Sequence, residues 1–219
     1  MENKPTFIDF GCGKGETMER YEYLFEATPV LGIDTWEEHL EEARAKGYNV
    51  MNADLTTMSP FDLPRVNFAT FIHVLEHMPD LATVARVISM ACVVSKDFVY
   101  IRQPFFDADN YLAELGFKFN WSNWSCHPSH VTTEQFKEIA SVLGYECTVS
   151  YRTPAHDTHD PNILPLSAPY ESGIFNEYHP EWGEKPYKVL TGVYHETVCI
   201  IKLREYSTTE WNNLLKKLQ

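Results

Sequence analysis

Basic residues are scarce in this sequence: 18 Lys and Arg stand against 31 Asp and Glu, a formal net charge of −13. A nucleic-acid backbone needs a clustered Lys/Arg footprint, and nothing of the kind occurs beyond Lys216-Lys217, so no nucleic-acid partner is expected. The acidity itself reads as a solubility feature. Cysteine is sparse too. Cys12, Cys92, Cys126, Cys147 and Cys199 lie apart with no C-x-x-C pair. That excludes a disulfide framework, points to free thiols in a reducing compartment, and gives no reason to expect a metal. Long apolar runs are missing as well. No segment approaches a membrane span and no signal peptide precedes the first strand, so a cytoplasmic protein without a membrane partner is expected. Repeats and low-complexity tracts are absent.

What is there is ordinary in amount and informative in order. A chain of 219 residues, 44% hydrophobic and 22% charged, is long enough for one substantial α/β domain covering 1–219. Its first pattern is Thr6-Phe-Ile-Asp-Phe-Gly-Cys-Gly-Lys-Gly-Glu16. Phe7, Ile8 and Phe10 around Asp9 read as a buried strand, Gly11 to Gly15 as a tight turn, and Glu16 to Ala27 as a helix. Glycines at alternate positions let the backbone take positive φ and approach a ligand with no Cβ in the way. Strand, turn and helix N-terminus together form a nucleotide-cofactor pocket. The dinucleotide fingerprint G-x-G-x-x-G wants its third glycine where Glu16 stands, and a carboxylate there repels a pyrophosphate. Asp9 suits a ligand carrying a positive amino group.

Strand-like and helix-like segments then alternate. Pro29 to Asp34 is a second strand, Trp36 to Lys46 a helix closed by Gly47, and Tyr48 to Asp54 a third strand. Phe68 to His73 is a fourth strand, Leu81 to Ala91 a helix, and Asp97 to Arg102 a fifth strand. A capping box at Thr132-Thr-Glu-Gln135 opens a helix running to Leu143, and Tyr145 to Tyr151 follows as a sixth strand. Tyr194 to Leu203 is a seventh, and the box Ser207-Thr-Thr-Glu210 opens a terminal helix. This order predicts a doubly wound, mostly parallel α/β sheet. The stretch from Pro154 to Pro186 departs from the rhythm. It carries six prolines, the aromatics Tyr170, Phe175, Tyr178 and Trp182, and His156, His159 and His179. It reads as a lid or substrate-recognition insertion, spanning about 154–187, between the last two strands.

Three successive strand ends carry a glycine turn and then two acids, Asp34 and Asp54. Asp34 falls about 20 residues beyond the turn, where an acid accepts hydrogen bonds from ribose hydroxyls. A single acid in such a place reads more readily as a helix cap or turn residue. Three in order read as a cofactor site.

The string Asp9-Phe-Gly11-Cys-Gly13-Lys-Gly15, together with Val74-Leu-Glu-His-Met-Pro-Asp80, resembles the class I S-adenosylmethionine-dependent methyltransferases. The resemblance covers residues 6 to 103, and more loosely extends through His130-Val-Thr-Thr-Glu134 and Leu143-Gly-Tyr145. It implies a Rossmann-like sheet of seven strands, the last antiparallel, and S-adenosyl-L-methionine as cofactor. By that resemblance Gly11, Cys12, Gly13 and Gly15 would cradle the methionine and ribose portion with Asp9 nearby. Asp34 and Thr35 would hold the ribose, Asp54 and Leu55 would border the adenine, and His73 would lie at the cofactor's edge. The methyl acceptor would be a small molecule, with His130 or His127 as the base that removes a proton from the attacking hydroxyl or amine. Trp121 and Trp124 are candidates for an acceptor wall, or for core packing.

Two other enzymes and one binding protein compete with this reading. His73-Val-Leu-Glu76-His77 is H-x-x-E-H, the signature of inverted-motif zinc proteases, but it needs a helix where His73 closes a strand and Pro79 follows at once. A nicotinamide oxidoreductase is disfavoured by Glu16. A protein that keeps the methyltransferase fold and catalyses nothing, serving as a regulatory or interaction partner, differs from the enzyme in having a crowded acceptor cleft.

Overall fold

A computed structural model describes residues 5–172 and 178–218. Phe7–Phe10 (β1), Val30–Asp34 (β2), Asn49–Asn52 (β3), Val66–Ile72 (β4), Ser95–Pro104 (β5), Glu146–Pro154 (β7) and Tyr194–Lys202 (β9) form one sheet. Its order is β3-β2-β1-β4-β5-β9-β7, with β9 antiparallel to both its neighbours and the pairs among β1 to β5 parallel. Strands buried on both faces must be apolar throughout, which is why β1, β2 and β4 read as near-continuous hydrophobic runs. At one edge, β3 is short, half exposed and bounded by Asn49 and Asn52, a composition that discourages further pairing.

Alternate side chains of each strand go to opposite faces. Phe7 joins Glu16–Phe25 (α1), Glu37–Ala45 (α2) and Thr208–Leu218 (α6) through Met18, Tyr21, Leu40 and Leu218. Ile8 and Phe10 join Leu81–Val94 (α3) and Thr133–Val142 (α5) through Val84, Val87, Ile88, Phe136 and Ala140. The parallel register places Phe7, Phe68 and Phe98 side by side on three strands. Their rings stack at centroid separations of 4.7 and 4.8 Å. That matches the spacing of neighbouring strands, so the sheet itself sets the stack. Phe10 and Phe71 repeat the arrangement on the other face.

Asp109–Glu114 (α4), Phe117–Phe119 (β6) and Ile163–Pro165 (β8) build a smaller unit beyond the end of β5. Here β6 and β8 pair antiparallel, and a separate cluster of Phe105, Phe106, Leu112, Phe119, Trp121 and Ile163 fills the space beneath. None of these three elements was expected from the sequence. Residues 155–172 and 178–193, which lie between β7 and β9, pack on this unit: Leu166 N–H donates to Gly116 O, and Lys118 Nζ to Ala168 O at 2.6 Å. Phe175, one of the aromatics that suggested a lid, lies outside the described residues.

Several boundaries also differ. Strand β3 ends at Asn52, leaving Asp54 in the following turn, and β4 ends at Ile72, leaving His73 beyond the strand with φ 54°. Both expected capping boxes are formed, at Thr132 with Gln135 and at Ser207 with Glu210. No described helix is long and apolar enough to cross a membrane.

Phe68 is the middle ring of the three-strand stack and also meets Phe25 of α1. Phe68→Ala is expected to lower the unfolding free energy by about 3–5 kcal/mol, the range for a buried Phe truncation. Urea unfolding monitored by circular dichroism measures it, and a loss under about 1 kcal/mol would show the stack to be dispensable.

Candidate functional site

Sheet order reverses between β1 and β4, so the chain leaves these two neighbours toward opposite faces and opens a crevice at their carboxyl ends. A cleft of about 570 Å³ lies there, within the usual size for a small-molecule site. Its lining runs from Gly11 through Ile33, Asp34, Thr35, Trp36 and His39, across Ala53, Asp54 and Leu55, to His73, Val74, His77, Met78 and Cys126. A smaller hollow of about 200 Å³ adjoins it and is lined by Gly11, Cys12, Gly13, Lys14, Glu16, Thr17 and His39. Among the other hollows, one of about 650 Å³ over Glu16, Glu19, Arg20, Glu22 and Tyr23 is an open charged surface along α1, and one of about 590 Å³ lies along β7 and β9 between Thr148 and Leu218.

Asp34 organises the near wall. Its Oδ2 accepts the Gly13 N–H at 2.9 Å and its Oδ1 accepts the Trp36 N–H at 2.9 Å. One carboxylate therefore fixes both the glycine turn and the start of α2, and still keeps lone pairs for a ligand. The glycines serve different ends. Gly11 has φ +71°, and a Cβ there would stand 2.3 Å from a Val74 methyl, so the turn and the segment after β4 are packed backbone to side chain. Gly13 has φ +49°, and a Cβ there would meet nothing closer than His39 Nδ1 at 4.0 Å, leaving space open to a ligand. Gly15 lines neither hollow. It opens α1 at φ +86°, and a Cβ there would strike the Tyr48 ring at 2.9 Å, so its role is packing.

Asp9 lies beneath the turn, 1% exposed, with Oδ1 taking a 2.6 Å hydrogen bond from Thr70 Oγ1 and Oδ2 without a hydrogen-bond partner. Burial raises its pKa to about 7, against the Thr70 hydrogen bond and with help from the Asp34 charge. Asp54 accepts the Thr56 N–H at 2.7 Å in a tight turn that presents it to the cleft, and Leu55 is buried beside it.

The far wall is the segment after β4, where Leu75–His77 forms one short 3₁₀ turn. The H-x-x-E-H residues do not share a helix, which removes the protease geometry. His73 Nε2 meets Glu196 Oε1 at 2.7 Å, and its Nδ1 lies 3.4 Å from Glu76 Oε1. Burial alone would depress the imidazole, but the hydrogen bonds and charges of Glu196 and Glu76 outweigh it and raise the pKa to about 9. Burial raises and the His73 and Arg102 interactions lower the Glu196 carboxyl, with a net fall.

Of the residues singled out in the sequence, the cleft thus brings together Gly11, Asp34, Thr35, Asp54, Leu55 and His73, with Cys12 and Gly13 in the adjoining hollow. The two histidines considered as bases line neither. His127 is buried against Trp124 and His77, its Nδ1 donating to Trp121 O at 3.0 Å. His130 stacks on Phe106 at 4.4 Å and points Nδ1 at Asp109 Oδ2, 3.0 Å away. Trp121 belongs to the buried cluster under β6, and Trp124 Nε1 donates to Ser172 O, so packing rather than an acceptor wall explains the pair. No described residue of the 154–187 stretch lines the cleft, so the lid role is not carried forward.

Trp36, His39, His77, Met78 and Cys126 line the cleft without having been expected. Trp36 is 58% exposed and stacks on His39 at 4.5 Å. An exposed Trp two residues after a strand-ending acid was the signal available in the sequence.

Comparison with known proteins agrees with this fold. Residues 8–92 match the model of a family described as a methyltransferase domain. No curated protein matches the sequence. Among solved structures, an S-adenosylmethionine-dependent methyltransferase from Archaeoglobus fulgidus superposes with a TM-score of 0.59 at 18% identity, covering 92% of this chain and 87% of that one. The YcgJ protein from Bacillus subtilis gives 0.60 at 12% identity, covering 93% of both. The magnesium protoporphyrin IX methyltransferase ChlM from Synechocystis PCC 6803, solved with bound S-adenosylhomocysteine, gives 0.52 at 13% identity, over 91% and 74%.

The His73 cluster makes a pH prediction. In the fold the imidazole keeps its proton until about pH 9, whereas in the unfolded chain it loses it near pH 6.5. The stabilisation is complete below about pH 6.5 and disappears as pH rises through about 9. The difference in urea midpoint between the wild type and His73→Gln is therefore expected to shrink from pH 6 to pH 9.5. A gap that stays constant would show that His73 is not held charged.

Proposed function

We propose that the chain is a transferase of the class I S-adenosylmethionine-dependent methyltransferase superfamily, a reading supported by the methyltransferase-domain match over residues 8–92 and by the fold it shares with solved methyltransferases. The reading is transfer of a methyl group to an oxygen or nitrogen atom of a small-molecule acceptor. The observation that carries it is the acidic, open cleft at the reversal of sheet order. Asp34 and Asp54 border that cleft, and Asp9 is buried below it with one oxygen unpartnered. This set of carboxylate acceptors fits a cationic adenosyl ligand rich in hydroxyl groups. It fits a pyrophosphate poorly, and Glu16 in the adjoining hollow makes the fit worse.

S-adenosylmethionine supplies a methyl on a positively charged sulfur, already a good leaving group. What remains for the protein is orientation and exclusion of water. Asp34 would accept the ribose hydroxyls on the lone pairs that Gly13 and Trp36 leave free. The exposed face of Trp36 offers a stacking surface for a purine, while Asp54 and Leu55 offer a polar and an apolar edge. The Asp9 charge would attract the ligand's ammonium group from below the turn. The acceptor end is assigned to His77, Met78 and Cys126, where the cleft is open to solvent, and this opening supports catalysis over a purely regulatory role. His130, tied to Asp109 away from the lining, receives no proton-transfer role in this assignment.

Calorimetric titration with S-adenosylmethionine, S-adenosylhomocysteine and NAD is the direct test. Binding to the two adenosyl-sulfur ligands and not to NAD is expected, and a folded protein that binds none of them overturns the reading. Asp34→Asn, which keeps shape but loses charge, is expected to weaken S-adenosylhomocysteine binding by about 1.5–3 kcal/mol, the range for hydrogen bonds to a charged group. Unchanged affinity removes Asp34 from the site.

Asp9 supplies a second check. Its pKa near 7 means that raising pH from about 6 to 8 exposes the negative charge, so S-adenosylmethionine affinity is expected to rise over that window and to flatten in Asp9→Asn. Fold stability moves the other way. A carboxyl whose folded pKa is raised contributes stability below its unfolded value near 4 and loses it as pH climbs through about 7. A pH-independent affinity in the wild type contradicts the role given to Asp9.

A further inference from the structure

At the acceptor end of the cleft two segments far apart in sequence meet, and their side chains are metal-ligand types. His77 follows β4, and Cys126 and His127 sit in the loop after β6. One ligand atom from each lies within 4.8 Å of the other two. We propose that His77, Cys126 and His127 form a divalent transition-metal site of the zinc type, bordering the methyl-transfer cleft. No spacing in the sequence announces it, because His77 and Cys126 are 49 positions apart.

Hydrogen bonding settles the tautomers. His77 Nδ1 lies 2.7 Å from Cys126 O, and His127 Nδ1 lies 3.0 Å from Trp121 O. A carbonyl oxygen only accepts, so each Nδ1 carries the proton and each neutral ring keeps its lone pair on Nε2. Neither Nε2 has a hydrogen-bond partner among the described residues. Donation of the second ring nitrogen to a backbone carbonyl is the outer-shell arrangement that orients histidine ligands toward a metal. The two rings meet edge to face at 4.9 Å.

The loop and the turn that carry these ligands are clipped together. Ser129 N–H donates to Glu76 O at 3.2 Å, and Ser129 Oγ donates to Met78 O at 2.7 Å. Glu171 Oε1 accepts the Ser125 N–H at 2.8 Å next to Cys126. Zinc bonds of about 2.0 Å to nitrogen and 2.3 Å to sulfur put tetrahedral ligand atoms roughly 3.3–3.7 Å apart. A set of two nitrogens and one sulfur suits zinc or cobalt rather than magnesium or calcium. With three protein ligands, a fourth position stays open beside the cleft, the pattern of zinc sites that bind a substrate or water.

The test uses the whole protein, stripped of metal with a chelator and titrated with cobalt(II). Expected is one equivalent bound, with the visible absorption of tetrahedral cobalt and a near-ultraviolet thiolate-to-cobalt charge-transfer band. Cys126→Ser should abolish the charge-transfer band and weaken zinc affinity at least tenfold in competition with a chromophoric chelator. His77→Ala should weaken zinc affinity by a similar factor. Both residues are exposed, so the variants are expected to fold, and circular dichroism checks that. Absence of a one-equivalent cobalt spectrum overturns the proposal. So does a charge-transfer band that survives Cys126→Ser, or zinc affinity unchanged in either variant. The proposal stands apart from the methyl-transfer reading, since cobalt spectra and S-adenosylhomocysteine calorimetry succeed or fail independently.

Discussion

The two hydrogen bonds accepted by the Asp34 carboxylate are the constraint on which the site depends. A strand that ends in open crevice leaves backbone amides of the next turns without partners, and a single carboxylate at the end of β2 satisfies two of them. It brings together the glycine turn, which follows β1, and Trp36, which precedes α2. Because those two pieces come from different crossovers, the cleft is held by a charge located between them and not by either loop alone. The Gly11 contact with Val74 then carries the same constraint across to the segment following β4. Near wall and far wall are in this way tied to one point of the sheet.

The floor of the cleft is held by charges that the fold restrains rather than neutralises. Asp9 is buried with half of its carboxylate unpartnered and its pKa raised to about 7. On the opposite side, Glu196 accepts from His73 and lies 3.3 Å from Arg102 Nε. An apolar residue in place of Asp9 would suit the stacked aromatic sheet around it better, as burying an unpaired carboxylate carries a desolvation cost. Local rules that are broken at one place, within a sheet that otherwise obeys them, mark a site with a use. The break at Asp9 coincides with the reversal of sheet order, where the topology already opens a crevice.

Much of the sheet was legible because parallel strands covered on both faces must be apolar throughout, and glycines, prolines and capping boxes punctuate the helices between them. The alternation of Phe7-Ile-Asp-Phe10, Val30-Leu-Gly-Ile33 and Phe68 to Ile72 announces buried strands, and Thr132 with Gln135 announces α5. What escaped was built on longer reach. Strands β6 and β8 have three residues each and pair Phe119 with Ile163, a length that carries no periodic signal. The 154–187 stretch was expected to act as a lid, and proline and aromatic content shows that such a segment packs but not against what. Its described residues pack on the unit around Phe119, and Glu171 reaches the loop that carries Cys126.

The site divides along the same line. Asp34, Asp54 and the glycine turn were visible because strand-end positions are dictated by sheet topology, so counting along the chain places them in space. His130 was chosen for its place just before a helix start and its match to a histidine of related sequences, yet it stacks on Phe106 and faces Asp109. The convergence of His77 with Cys126 and His127 had no counterpart in the sequence at all. It depends on the Ser129 clips that lay the loop after β6 along the turn after β4. Residues that strand ends position can be read from order alone, whereas residues that meet because one loop lies on another require the packing itself. In this chain the first kind makes up the wall assigned to the cofactor, and the second makes up the end assigned to the acceptor. That division follows from the fold: the sheet supplies a fixed frame at β1 to β3, and beyond β5 the chain is free to vary what it presents to that frame.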